Sequence, residues 1–297
     1  MKFLDDKKVV LDGVPDKQTV LDGITDPRAL PRHLIDATSG RQKTKRYKFL
    51  RLSEIDSACM REWVLGHCLD LYYTDSAAWA NVWQMNMGTV LHHAIQNRPE
   101  YFGERLVGWW QCKACGFKRR FGVRPEEPCE KCQAHPRVTE YDEYYFRLTK
   151  PYRVTGKVDI ILRVAPRIYR FGEIKTVSKD QDNPTGRDVA QTASYNYFTR
   201  YDDQLPITID RSISYLFYFN KMFNYQAPVK VFKVTPTDVL INPLKAKAAE
   251  FTIGVNTKQL PQPLGKCVSA NFSSGRAKSC GIPKECKKHF ELGTTTL

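Results

Sequence analysis

The chain has 297 residues, enough for one large domain or two small ones, and its 46 Lys plus Arg against 32 Asp plus Glu give a formal charge of +14. With 42% hydrophobic and 26% charged residues it has the composition of a globular protein, which excludes wholesale disorder. No apolar run approaches the roughly 18 residues that cross a bilayer, and Met1–Asp6 begins no signal-peptide core, so the expectation is a cytoplasmic protein without membrane contact. The basic excess favours an anionic partner, and nucleic acid ahead of a membrane surface, because no basic amphipathic anchor helix is visible.

Residues 1–40 read as an appended arm, with six Lys or Arg against seven Asp. Val10-Leu11-Asp12-Gly13 returns as Val20-Leu21-Asp22-Gly23, and each Asp-Gly favours a turn. The sign then switches. Arg41, Lys43, Lys45, Arg46, Lys48 and Arg51 crowd eleven positions with Tyr47 and Phe49 between them, a solvated face or a phosphate-contacting one. Ser53 followed by Glu54 and Asp56 resembles a helix cap, and Ile55, Met60, Trp63, Val64 and Leu69 have helical spacing. A second helix is predicted over 76–96, then a turn-rich insert over 111–135. Strands are predicted over 152–164 and 168–177, split by Ala165-Pro166. A helix over 187–201, strands over 212–219 and 229–234, and a helix over 243–252 complete a mixed α/β core ahead of a cysteine-bearing tail.

Nine cysteines, an odd number without a secretory signal, argue for metal ligands over a disulfide framework. Cys112-Lys113-Ala114-Cys115, thirteen residues, then Cys129-Glu130-Lys131-Cys132 is the pattern of a zinc ribbon with tetrahedral thiolate coordination. His135 is a spare ligand type, but four cysteines already close such a site. Between the knuckles lie Lys118, Arg119, Arg120 and Arg124 with Phe117 and Phe121. They read either as a DNA-contacting finger or as solubilising charge on an insert with too little core to fold without metal.

The chemistry concentrates on the predicted hairpin. Residues two apart on a strand share a face, so Glu173 and Lys175 project together and Ile174 points into the fold. The hairpin should bring Asp159, in Gly156-Lys157-Val158-Asp159, beside them. Two carboxylates are hard ligands suited to Mg²⁺ or Mn²⁺, and a lysine there can orient a water whose pKa the metal lowers. An isolated pattern of this kind is commonly only a surface ion pair. Gln191 and Tyr195 follow at i, i+4 on one helix face. Upstream, Gly88-Thr89-Val90-Leu91-His92 sets a histidine in an apolar helix, with His93 as its solvent-facing neighbour.

The order Cys59, Gly88…His92, Gly156…Asp159, Glu173-Ile174-Lys175, Gln191…Tyr195, Leu260-Pro261, Cys267, Cys280 and Cys286 resembles the RecB-like branch of the PD-(D/E)xK nuclease superfamily. The likeness is to the iron–sulfur subgroup that includes AddB-type nuclease domains and CRISPR-associated exonucleases, and it spans about residues 50–290. It implies a restriction-endonuclease-like mixed sheet flanked by helices. It implies a catalytic metal held by His92, Asp159, Glu173 and the Ile174 carbonyl, with Lys175 serving the attacking water and Gln191 and Tyr195 organising the site. It also implies a 4Fe–4S cluster on Cys59, Cys267, Cys280 and Cys286, stapling the tail to the first helix. The subgroup's tail usually has two residues between its first two cysteines; here twelve separate Cys267 from Cys280, which leaves Cys68 as the other candidate for the fourth ligand.

The expected organisation is an arm over 1–50, a helical part over 51–110, the zinc ribbon over 111–136, the nuclease core over 137–260 and the tail over 261–297. The expected activity is metal-dependent exonucleolytic hydrolysis of DNA in recombination, repair or replication. The rivals are a structure-specific endonuclease and a non-catalytic nucleic-acid-binding scaffold. No phosphate-binding loop of an ATPase is present, so any helicase activity would have to come from a partner; the expected partners are DNA and a helicase or recombination protein.

Overall fold

The computed structural model describes residues 43–75, 79–179, 181–220, 229–275 and 280–297. The arm with its repeated Val-Leu-Asp-Gly, Arg41, and the predicted start of the second helix at Ser76 lie outside these residues. The first half of the described chain contains β1 (Lys43–Arg46), β2 (Leu50–Arg51), α1 (Met60–Cys68), β3 (Tyr72–Asp75), α2 (Trp79–Asn97), α3 (Pro99–Phe102), β4 (Leu106–Val107), β5 (Trp109–Cys112), β6 (Thr139–Asp142) and β7 (Tyr144–Leu148). There follow β8 (Val154–Val158), β9 (Ile160–Ala165), β10 (Ile168–Val177), α4 (Gly186–Phe198), β11 (Ser214–Asn220), β12 (Val229–Val234), α5 (Asp238–Thr257), α6 (Gly265–Ser269) and α7 (Pro283–Glu291). The protein is mixed α/β and divides into two compact units.

The first unit, built from Ala80–Tyr145 and Lys157–Pro236, holds a five-stranded sheet in the order β12-β11-β10-β9-β4. β9 and β10 form an antiparallel hairpin, whereas β10 and β11 run parallel, from Gly172 opposite Tyr215 to Val177 opposite Asn220. A parallel pair needs a crossover, and α4 supplies it. Its N-cap Thr185 accepts a hydrogen bond from the Asp188 amide at 3.1 Å, satisfying one of the helix's free N–H groups. β11 is buried at every position, as a central strand covered on both faces must be. Ile95, Phe102, Trp110, Ile160, Ile174 and Phe217 join the core that fixes α2 and the sheet together. Gly172 is required there: a Cβ would fall 2.7 Å from Ile160 Cγ1.

The second unit comprises the described parts of Gly40–Trp79, Phe146–Gly156 and Thr237–Leu297. Its sheet has the order β2-β8-β7, with β2 parallel to β8. Trp63 on α1 packs edge-on against Phe251 on α5 and against Tyr47, at 6.1 and 5.2 Å between ring centres.

Three sequence expectations need correction. The first helix begins at Met60 with Cys59 as its N-cap, not at Ser53; Leu52–Glu54 is one 3-10 turn, closed by the Ile55 and Ser57 amides onto Leu52 and Glu54. Local cap chemistry at Ser53 was overridden by the burial of Leu52 and Ile55. The run over 152–164 is two strands in two sheets, interrupted at Asp159. The last long helix starts at Asp238, a turn before Pro243. In addition, β6 and β7 over 139–148 and the tail helices α6 and α7 had no sequence assignment, although burial alternates residue by residue along β6 and β7.

Candidate active site and cysteine centres

Asp159 lies in the break between β8 and β9. Its Oδ2 accepts a hydrogen bond from the Ile174 amide at 2.8 Å, which pins it beside the middle of β10. Glu173 and Lys175 do share a face: Lys175 Nζ is 2.6 Å from Glu173 Oε1, and Ile174 is fully buried. Gln191 on α4 bridges the pair, accepting from Lys175 Nζ at 2.9 Å and donating to Glu173 Oε1 at 2.6 Å. It also donates to the Tyr195 hydroxyl at 3.0 Å. The i, i+4 spacing of Gln191 and Tyr195 therefore delivers both to one spot.

Glu173 is only 2% exposed, and its second oxygen, Oε2, is buried without a hydrogen-bond partner among the described residues. Burial first, and then the Asp159 charge, raise its carboxyl well above the ordinary range. Asp159 is raised too, by burial above all, with His92 and Lys175 opposing and Glu143 adding to the rise. Burial acts to lower the Lys175 pKa, but Glu173 and Asp159 outweigh it and hold the ammonium charged. Burial raises the Tyr195 hydroxyl well above its usual value, so it stays protonated.

His92 reaches this centre from α2. Its Nδ1 is 3.7 Å from Asp159 Oδ2, and α2 comes close to β10 at Gly88, where a Cβ would lie 3.4 Å from Thr176 Oγ1. His93 is not solvent-facing as expected. Its ring is half-buried and lies 3.0 Å from Glu140, and burial lowers its pKa. Sequence reasoning missed Glu143, which sits between β6 and β7. His92, Glu143 and Asp159 each offer a ligand atom within 4.8 Å of the others, a spacing that can hold one metal ion. Gln96 holds Glu143 in place, donating to its Oε1 at 2.7 Å and to the Asp159 carbonyl at 2.9 Å. The available signal was an acidic pair, Asp142-Glu143, inside the aromatic run from Tyr141 to Phe146.

The ribbon cysteines form a second centre. Cys112 Sγ is 3.7 Å from Cys132 Sγ, and Cys115 Sγ is 3.7 Å from Cys129 Sγ. The two knuckles repeat one geometry. The Gly116 amide donates to Cys112 and the Gln133 amide to Cys129, both at 2.8 Å, and Gly116 and Gln133 both have positive φ, +73° and +57°. Hydrogen bonding, from the Cys132 amide first, draws the Cys129 thiol down to about 6. These four cysteines can bind a metal such as zinc. Of the basic residues between the knuckles, Lys118 pairs with Asp142 at 2.6 Å, Arg119 donates to the Glu127 carbonyl at 2.9 Å, and Arg124 donates to the Asn97 carbonyl. Arg120 is exposed, and no such bond is seen for it among the described residues.

In the second unit, Cys59, Cys267, Cys280 and Cys286 line one small cavity together with Glu62, Leu264 and Phe272. Cys68 does not line it. Cys59 comes from the α1 cap, Cys267 from α6 and Cys286 from α7. The four sulfurs are not gathered within reach of one ion as the ribbon sulfurs are. Burial pushes the Cys280 thiol up to about 12 and raises that of Cys286, the latter opposed by Arg61 beside it. Arg61 is 3% exposed; its Nη1 donates to the Pro261 carbonyl at 2.9 Å, while Nε and Nη2 have no nitrogen or oxygen partner among the described residues and the guanidinium lies beside the Cys286 thiol. Glu62 accepts from the Gly281 amide at 3.1 Å, tying α1 to the segment that carries Cys280.

No family model matches the chain, and no curated protein does. Among solved structures, one titled "Crystal structure of SSO0001" aligns with 86% of this chain and 93% of its own, at 15% identity and a TM-score of 0.37. No helix among the described residues is long and apolar enough to cross a membrane.

Proposed function

We propose that this protein is a metal-dependent DNA nuclease of the RecB-like PD-(D/E)xK type, acting as an exonuclease at DNA ends. The observation that carries the reading is the convergence of Asp159, Glu173, Lys175, Gln191 and Tyr195, with the Glu173 Oε2 atom buried and unpartnered. Burying carboxylates so close together is costly unless a cation balances them, and such perturbed groups concentrate at functional sites. Oxygen ligands of this kind suit Mg²⁺ or Mn²⁺, which when bound lowers the pKa of a water and offsets charge on a phosphate. His92, Asp159, Glu173 and the Ile174 carbonyl are the groups that would hold it.

The chain's own residues do the rest. Lys175 is held as an ammonium, so it donates hydrogen bonds to a water or phosphate oxygen rather than accepting a proton. Gln191 fixes the Lys175–Glu173 pair and is itself fixed by Tyr195, so the donor is aimed before substrate arrives. The +14 charge supplies attraction to the DNA backbone. In this reading the ribbon carries structural Zn²⁺, and a 4Fe–4S cluster occupies the cavity of Cys59, Cys267, Cys280 and Cys286. The donor set fits: four thiols line one cavity, spread too widely for one ion, with the buried Arg61 guanidinium beside Cys286. A scaffold reading is disfavoured by the cost of the buried carboxylates and by the internal use of three of the four ribbon cations.

The deciding experiment is digestion of end-labelled and circular DNA, single- and double-stranded, with Mn²⁺ or with EDTA. Mn²⁺-dependent loss of the linear substrates alone supports the exonuclease. Nicking or linearisation of circles supports an endonuclease, and intact DNA under all conditions removes the nuclease assignment.

A further inference from the structure

The last turns of α2 face two ways. His92 and Gln96, four residues apart, share the side toward Asp159: His92 Nδ1 is 3.7 Å from Asp159 Oδ2, and Gln96 donates to the Asp159 carbonyl at 2.9 Å and to Glu143 at 2.7 Å. His93 and Asn97, also four apart, meet the cysteine insert and the strand that follows it. His93 Nε2 lies 3.0 Å from Glu140 Oε2, and that same oxygen is 2.6 Å from Nζ of Lys113, which sits inside the first Cys-x-x-Cys knuckle. Arg124 Nη1 donates to the Asn97 carbonyl, and Asn97 Oδ1 accepts from the Tyr141 amide at 2.6 Å. We infer that the cysteine insert is a brace for the active-site helix: with its metal bound, it holds the C-terminal turn of α2 and so sets His92 and Gln96 against the catalytic centre. Lys113 and Arg124 are its positioning residues. The inference rests on the nuclease reading only for what the brace serves, and it gives these basic residues a role other than DNA contact.

Asn97 ends α2, and the last four carbonyls of a helix have no partner within it. A guanidinium there satisfies one of them and stands at the negative end of the helix dipole. Arg124 is partly buried and lies over Trp110, 5.8 Å from the ring centre. The loop that carries it is laid along β5. Gly108 and Gly122 exchange two backbone hydrogen bonds at 2.9 Å, the Arg119 amide donates to the Trp110 carbonyl at 2.9 Å, and Trp110 Nε1 donates to the Gly122 carbonyl at 3.1 Å. β5 ends in Cys112, the first of the four cysteines, so loop and knuckle are built on one strand. An insert this small has too little core to keep that arrangement without metal. By linkage, metal in the insert then raises the affinity of the catalytic centre for its own cation.

The test uses full-length Arg124→Ala, Arg124→Lys and Cys132→Ser, the last to empty the insert of zinc. Three quantities are measured: backbone amide hydrogen exchange over 92–97, Mn²⁺ affinity by electron paramagnetic resonance, and DNA affinity without added Mn²⁺. Arg124→Ala and Cys132→Ser should exchange faster over 92–97 and bind Mn²⁺ about tenfold more weakly, the scale of losing an outer support of a metal site, with DNA affinity unchanged. Arg124→Lys keeps a donor for the Asn97 carbonyl and should recover both in part. Exchange and Mn²⁺ affinity like wild type in zinc-loaded Arg124→Ala overturn the inference, whether or not Cys132→Ser folds. Lost DNA affinity in Arg124→Ala with α2 still protected makes the insert a DNA-contacting finger and overturns it as well. Faster exchange over 92–97 in a protein that cleaves no DNA would refute the nuclease reading and leave the brace standing.

Discussion

In the first unit, Glu173 is 2% exposed and one of its oxygens has no hydrogen-bond partner among the described residues; in the second, Arg61 is 3% exposed and two of its three guanidinium nitrogens have no nitrogen or oxygen partner among them. The two sites differ in composition. The first sets the buried carboxyls of Asp159 and Glu173 against Lys175, and the second sets the Arg61 guanidinium beside a cavity lined by four cysteines and Glu62. An unbalanced buried charge costs several kcal/mol. On the proposed reading, a divalent cation would answer the first site and a thiolate-held cluster the second.

The comparison is broken most directly at the carboxylates. Asp159→Ala, Glu173→Ala and Lys175→Ala should each lower the cleavage rate by roughly a hundredfold to a thousandfold, the scale of losing one aligned electrostatic group, with DNA binding largely intact. Rates like wild type in the folded variants, measured on end-labelled DNA, would sink the assignment.

The next largest effect tests the thiols. Protein purified without oxygen should be brown, with iron and sulfide near four each per chain beyond its zinc. Cys59→Ser should bleach it and lower its melting temperature while zinc stays in the ribbon, and Cys68→Ser should remain brown. A colourless Cys68→Ser with a brown Cys267→Ser would exchange those two assignments. A colourless wild type holding zinc alone would remove the cluster.

Arg61→Met sharpens the contrast, because its effect should change sign with loading. In the loaded protein it breaks a buried charge pairing and should cost about 3 kcal/mol. In the metal-free protein it removes a buried cation that lacks full hydrogen bonding among the described residues, and should stabilise. Paired thermal melts measure both; destabilisation of equal size in the two forms would show that Arg61 only packs.

The smallest effect is a pH slope. Asp159 and Glu173 have folded pKa values above their unfolded ones, near 4. Their contribution is therefore fully present below about pH 4 and is lost as pH rises through the folded values. Protein freed of divalent cations should melt lower as pH rises from acid toward neutral, and Mn²⁺ should flatten the slope. Glu173→Gln should flatten it without metal. A melting temperature independent of pH in metal-free wild type would mean these carboxylates are already balanced.

Much of this was legible in the sequence wherever the signal is local. Two residues on a strand share a face, so Glu173 and Lys175 were paired by spacing alone, and Gln191 with Tyr195 by helical repeat. The ribbon was equally plain, because each Cys-x-x-Cys knuckle closes within five residues of chain. Glu143 was not legible. It meets Asp159 only because Gln96, on α2, bridges them across 47 and 63 residues of sequence. The break at Asp159 was hidden as well, since Val158 and Ile160 look like one continuous strand and only the divergence of two sheets separates them.

What the sequence by itself determined, then, is residue type and short-range spacing: the paired knuckles, the Glu-Ile-Lys face, the basic excess. Tertiary structure alone decided which distant groups meet. It chose Cys267 over Cys68 for the cavity of Cys59, Cys280 and Cys286, and it buried Arg61 beside them. The reason is that periodicity encodes which face a side chain takes, whereas the partner across that face is set by packing of elements far apart in the chain, where spacing carries no information.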